Sequence, residues 1–204
     1  MKIKNANLSE GQLSCMAKLL ARNNLTANVS SYPPDVLLFF PLDEVDSANC
    51  KVFYTLASQG DLSLLANGST QRTKLLENAL SCFGVEDTSL SKEQLQQLGG
   101  FVCDMEAATI QDSDPGILEN LKLCPDLTAS QKAAFNVLLS SGKTSYGAPA
   151  SWNDGSLEDL GPLAFYINRT IWDPINKRES SSSGMWPIPL TVKVLSRRQK
   201  QCSS

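Results

Sequence analysis

Apolar residues in this chain recur at three- and four-residue spacing in short blocks, and each block carries its own start and stop signal. Ser9 with Gln12 forms a capping box ahead of Leu13, Met16, Ala17 and Leu20, and Asn23-Asn24 closes that segment. Tyr32-Pro33-Pro34-Asp35 restarts the chain into Val36-Leu37-Leu38-Phe39-Phe40, a run too short for its period to separate buried helix from strand. Asp43 caps a stretch that places Val45, Ala48, Val52, Phe53 and Leu56 on one face, ended by Gly60. Ser69 leads into Leu75, Leu76, Ala79, Leu80 and Phe83, ended by Gly84. A second box, Ser91 with Gln94, precedes Leu95, Leu98, Val102 and Met105. Asp114-Pro115 opens a segment with Ile117, Leu118 and Leu121, which Cys124-Pro125 stops. Thr128 and Gln131 form a third box before Ala134, Val137 and Leu138, with Gly142 as a left-handed cap. Ser156 starts a last segment that Gly161-Pro162 breaks or kinks. Strand-like composition is confined to residues 188–195, behind the Ser180–Gly184 linker. The pattern predicts an all-α chain, an irregular stack of short helices without a strict repeat length. None of these helices buries its stripe alone, so they stack.

The order of features over Leu90–Trp172 resembles the mesothelin, stereocilin and otoancorin family of cell-surface glycoproteins. The residues that carry the likeness are Leu98-Gly99-Gly100-Phe101-Val102-Cys103, then Cys124-Pro125 with Leu127-Thr128, then Tyr146-Gly147-Ala148-Pro149, and last Leu157-Glu158-Asp159-Leu160-Gly161-Pro162-Leu163. The resemblance implies an armadillo-like superhelical stack, an extracellular or cell-surface location and a role in adhesion to cells or matrix. On this reading 1–84 holds N-terminal helical units, 85–175 the mesothelin-like helical region and 176–204 a basic tail.

Charge sharpens the picture. The net charge of −3 conceals an asymmetry: Lys177, Arg178, Lys193, Arg197, Arg198 and Lys200 face one acid, Glu179, in the tail, leaving residues 1–175 at −8. An acidic body argues against nucleic-acid partners, which require a basic footprint. The tail reads as a solvated linker, with a phospholipid or heparan surface as the alternative. The N-terminus lacks an apolar signal core, no run approaches a membrane span, and the C-terminus lacks a hydrophobic anchor tail.

Two features point instead to the secretory pathway. Asn7, Asn24, Asn28, Asn67 and Asn168 each head a glycosylation sequon, five where composition predicts about two. Cysteine supplies the other feature: Cys15, Cys50, Cys82, Cys103, Cys124 and Cys202 contain no C-x-x-C, which suggests neither a zinc ribbon nor a thioredoxin-type site. If the segments at 91–102, 105–111 and 114–123 run up, down and up, Cys103 and Cys124 finish at the same end, within bridging distance. Such a bridge contributes about 3 kcal/mol in the chain-entropy model; buried free thiols are the alternative. The remaining four admit several pairings. A secretory body without a secretory signal is expected to be a fragment of a longer protein.

Catalytic chemistry is not legible. With no histidine, Ser-His-Asp and Cys-His activation and every His-containing metal motif are absent. Ser141-Gly142-Lys143-Thr144 imitates the end of a phosphate loop, but Val137 stands where the loop needs its first glycine. Asp112, Asp114, Glu158 and Asp159 lack EF-hand spacing and sit at helix starts that already explain acids. Trp152 and Trp172 flank the last unit and read as core first, partner anchors second. No catalytic residue, cofactor or metal is assigned. The expectation is a non-enzymatic adhesion module with a protein or glycan ligand on the cell surface or matrix, meeting membrane only through an anchor absent from this chain. The alternative is an intracellular helical scaffold with reduced cysteines.

Overall fold

The computed structural model describes residues 8–22, 29–173 and 175. Every regular element among them is helical, and two disulfides tie helices together. The α-helices include α1 (Glu10–Arg22), α2 (Pro34–Leu37), α3 (Cys50–Ala57), α4 (Thr70–Phe83), α5 (Lys92–Leu98), α6 (Ala107–Asp112), α7 (Ile117–Leu121), α8 (Ala129–Ser140) and α9 (Asp154–Leu160), and residues 169–173 are helical as well. Short 3-10 helices intervene, of which Gly99–Asp104 and Gly161–Tyr166 matter most below. Neighbours in sequence pack as neighbours in space: α1 on α2, α2 on α3, α3 on α4, and α3 and α4 on α5. Further on α5 meets α7, and α6 lies on α8. One buried apolar cluster runs through the stack, with Phe40, Phe53, Phe101, Phe135 and Trp152 among its largest members. Each such side chain contributes about 2 kcal/mol on burial, which short helices of low intrinsic stability require.

The capping boxes at Ser9, Ser91 and Thr128 form as the sequence predicts, each with side chain and backbone bonded reciprocally. Gly84 and Gly142 end their helices with left-handed backbone. Several boundaries differ. The run at 36–40 is a single helical turn followed by bends, since the prolines at 33 and 34 set the start and Pro41 blocks continuation. Asp43 caps no long helix: a 3-10 turn holds Leu42–Glu44, and α3 begins only at Cys50, leaving Val45 and Ala48 outside it. Val52 and Val137 face solvent although the period places them with the core. The N-cap of α9 is Asn153, with Ser156 as the third residue of its box.

The segment after Ser91 is the most instructive departure. Leu95, Leu98, Val102 and Met105 are all buried, but they do not share one helix. Helix α5 stops at Leu98, Gly99 adopts φ 46° and ψ −123°, and the chain proceeds as a 3-10 helix to Asp104. A second unit repeats this design: α9 stops at Leu160, Gly161 adopts φ 55° and ψ −127°, and a 3-10 helix runs to Tyr166. Both α-helices have 7 residues and both 3-10 helices have 6. Only glycine enters this backbone region without strain. The two units are not packed alike. Ser58, the C-cap of α3, lies against the first: its carbonyl accepts Gly100 N–H at 3.0 Å, and a Cβ on Gly99 would stand 2.5 Å from its Oγ. In the second unit Pro162 replaces the donor, and a Cβ on Gly161 would meet nothing within 4 Å.

Polar side chains brace the carbonyls these breaks expose. Asn120 Nδ2 donates to Leu95 O at 2.7 Å and Gly99 O at 2.9 Å. Gln131 Nε2 donates to Cys103 O at 3.0 Å and Met105 O at 2.8 Å. Asn136 Nδ2 reaches Tyr166 O at 2.8 Å while its Oδ1 accepts Asn168 N–H at 2.7 Å. Buried backbone groups demand such partners. The strand-like stretch 188–195, the linker before it, and Asn7, Asn24, Asn28 and Cys202 lie outside the described residues.

Candidate interaction surface

Cys103 and Cys124 are disulfide-bonded, with Cα atoms 5.3 Å apart. The 3-10 helix delivers Cys103, and the last turn after α7 delivers Cys124. Sequence reasoning did not single out the second bridge, Cys50–Cys82, with Cα atoms 6.1 Å apart. It joins the first residue of α3 to the penultimate residue of α4, the positions that meet when two consecutive helices pack antiparallel. Reading that hairpin from the apolar blocks would have found it. Among the described residues Cys15, exposed on α1, is free.

Asn67 and Asn168 are both exposed. Asn67 Oδ1 accepts from Arg72 Nη1 at 2.7 Å, and Asn168 Oδ1 accepts Ile171 N–H at 3.1 Å. In neither does a described hydrogen bond use Nδ2, the atom a glycan would take. Arg72 is itself an unanticipated hub. Only 5% exposed, it donates through Nη1 to Leu62 O and Leu65 O at 3.0 and 3.1 Å, and its Nε meets Asp104 Oδ2 at 2.6 Å.

The candidate acid–base groups do not converge. Asp114 Oδ1 accepts Gly116 N–H at 2.8 Å, Asp112 lies within reach of the Thr88 hydroxyl, and Glu158 and Asp159 are exposed on α9. Among the described residues no group of three or more His, Cys, Asp or Glu is arranged to hold a metal, and no helix is long and apolar enough to cross a membrane. The 141–144 stretch is the end of α8 and a turn, with Thr144 buried. Trp152 is core, its indole N–H donating to Gly147 O at 3.2 Å, and Trp172 is half-buried.

What remains is a groove of about 680 Å³ where α3, α5 and α7 meet. Asp35, Asp61 and Glu119 lie along it, Asn120 and Gly99 line it, and Leu123, 62% exposed, contributes an apolar wall. A smaller depression adjoins at Glu119 and adds Lys122, Tyr146 and Asp159. Lys122 Nζ bonds both Glu119 oxygens at 3.0 and 2.9 Å and stands 5.4 Å over the Tyr146 ring, whose hydroxyl donates to Glu119 at 2.7 Å. Burial pushes the Glu119 carboxyl up, but the bonds from Lys122 and Tyr146 outweigh it and hold it below the usual range. The same trio recurs with Lys132 over Tyr166 at 4.6 Å and both donating to Asp126 at 3.0 and 3.1 Å, which draws that carboxyl down. These clusters pin the 143–148 loop to α7, and the second 3-10 helix to the start of α8.

The family model described as mesothelin matches residues 1–182, well beyond the stretch in which the motifs are visible. Mesothelin-like protein of Mus musculus is 46% identical over 170 residues, 83% of this chain and 25% of the relative. Mesothelin of Mus musculus is 32% identical over 176 residues, 85% of this chain and 28% of the relative. Otoancorin of Homo sapiens is 30% identical over 170 residues, 78% of this chain and 14% of the relative. No solved structure gives a significant match. The chain thus spans about a quarter of the length of the mesothelin-like proteins it matches. With the family model matched across most of its length, the chain belongs to the mesothelin family.

Proposed function

We propose that the chain is a non-enzymatic extracellular module of a cell-surface glycoprotein and mediates cell–cell or cell–matrix adhesion. The observation that carries this reading is a pair of disulfides within a helical body of a mesothelin-family chain. Disulfides persist in oxidising compartments, and the exposed sequons at Asn67 and Asn168 offer unused amide nitrogens to glycans. The sequential packing of short helices fits an armadillo-like superhelix, whose concave faces suit extended partners. Adhesion needs surface and rigidity rather than a reactive centre, and the braces and bridges supply rigidity.

The test is cell attachment. The chain, secreted from eukaryotic cells behind a supplied signal peptide, is coated on a surface beside an albumin control. The reading expects epithelial cells to be retained on the chain, and retention to fall once its disulfides are reduced and alkylated. Equal retention on chain and albumin contradicts it.

A further inference from the structure

We infer that the groove between α3, α5 and α7 docks an extended, Lys- or Arg-bearing segment of a partner protein. The inference rests on the reading that this chain acts by binding, and adds where it binds and what chemistry the partner presents.

Three observations support it. First, the groove carries charge of one sign. Asp35, Asp61 and Glu119 line it and Asp159 continues it, while Lys122, the one cation among the described lining residues, is already bonded to Glu119. Second, the groove holds an open acceptor. Asn120 is 9% exposed and both Nδ2 protons are committed to Leu95 O and Gly99 O. No described group donates to its Oδ1. Thr144 Oγ1 is the one sealed side-chain polar atom without a partner among the described residues, so Asn120 Oδ1 is reached from outside, and Asn120 lines the groove. The equivalent oxygen of Asn136 is filled by Asn168 N–H. An Asn held with its acceptor free toward an acidic groove favours a donor-rich occupant. Third, exposed Leu123 beside these acids suits the aliphatic stem of Lys or Arg, whose head then reaches the carboxylates. A sugar is disfavoured because no aromatic ring among the described residues lines the larger depression for stacking, and an anionic partner is repelled. The volume suits a few residues of extended chain.

The test uses the full chain and a labelled nonapeptide alternating Arg and Gly, followed by fluorescence anisotropy, with an alternating Glu and Gly peptide as control. The triple variant Asp35→Asn, Asp61→Asn, Glu119→Gln removes charge but keeps an acceptor oxygen for Asp61 N–H, for Ser63 and for Lys122. A second triple, Glu77→Gln, Glu86→Gln, Asp87→Asn, removes the same charge from exposed positions outside the groove. At about 0.15 M salt, where distant charges are screened, the groove triple is expected to weaken the arginine peptide about tenfold or more and the second triple less than about threefold. Equal weakening in both triples overturns the assignment, as does no arginine-peptide binding by the unaltered chain up to about 1 mM. Carbodiimide cross-linking with mass spectrometry reads the remaining alternative. Links from Asp35, Asp61 or Glu119 to Lys177, Lys193 or Lys200 of the same chain would give the groove to this chain's own basic segment and overturn the partner assignment. A chain that retains cells yet fails these tests loses the groove docking alone, leaving the adhesion reading in place.

Discussion

Arg72 Nε and Asp104 Oδ2 lie 2.6 Å apart, joining α4 to the end of the first 3-10 helix. The pair does more than neutralise a charge, because Nη1 of the same guanidinium serves Leu62 O, Leu65 O and Asn67 Oδ1. Removing it orphans acceptors that the fold encloses. Arg72→Ala is expected to cost about 3 kcal/mol in urea unfolding. Arg72→Lys should recover little, since an ammonium lacks the fork that spans these acceptors. Wild-type melting of either variant would show the hub to be ornamental.

The two bridges close loops of 32 and 21 residues. Each should contribute about 3–4 kcal/mol, the longer one slightly more. Cys103→Ser with Cys124→Ser, and separately Cys50→Ser with Cys82→Ser, are expected to lower melting temperature and secreted yield. An unchanged melt for either double variant counts against that bridge.

Gly99 and Gly161 share a backbone conformation but not a neighbour, which separates strain from crowding. Gly161→Ala meets open space and should cost about 1–3 kcal/mol of backbone strain. Gly99→Ala adds collision with Ser58 Oγ and carbonyl, and so should cost about 1–3 kcal/mol more. Thermal denaturation of the two variants side by side decides it. Equal losses would mean that Ser58 yields freely.

The carboxyls of Asp126 and Glu119 set a pH dependence. Asp126 is drawn below its ordinary value by the Lys132 bond first, then by Leu127 N–H and the Tyr166 hydroxyl. Glu119 ends below its ordinary value despite the opposing effect of burial. A folded-state pKa below the unfolded one gives stability that is present above about pH 4 and is lost as pH falls through the folded value. Both side chains are largely exposed, 76% and 60%, so solvent screening keeps each contribution under about 1 kcal/mol. Between pH 6 and 3, Asp126→Asn and Glu119→Gln should each lose less stability than the parent. Identical acid slopes would refute the assignment.

Helix starts were legible because capping is local: Ser91 with Gln94 and Thr128 with Gln131 need only their own turn. Family membership was legible for a related reason, since glycines and cysteines at fixed offsets mark backbone geometry. The end of α5 was not. Val102 and Met105 keep the helical period and are buried, so periodicity ran through Gly99 as though the helix continued. The left-handed backbone at Gly99 and the tertiary approach of Ser58 together explain the glycine, and neither shows in the hydrophobic period. Sequence reasoning assigned no role to Arg72, Asn120 or Asn136 and gave Gln131 only its capping box, because the bonds these side chains make are set by carbonyls distant in sequence. The groove escaped for the same reason, its acids being spread from Asp35 to Asp159.

The most direct measurement is peptide mapping by mass spectrometry of the chain secreted from eukaryotic cells behind a supplied signal peptide, non-reduced and reduced, with and without glycosidase. The account predicts Cys50–Cys82 and Cys103–Cys124 linked peptides that separate on reduction, with glycans on Asn67 and Asn168. A chain retained in the cell, unglycosylated and with free thiols at those four cysteines, would contradict the extracellular assignment.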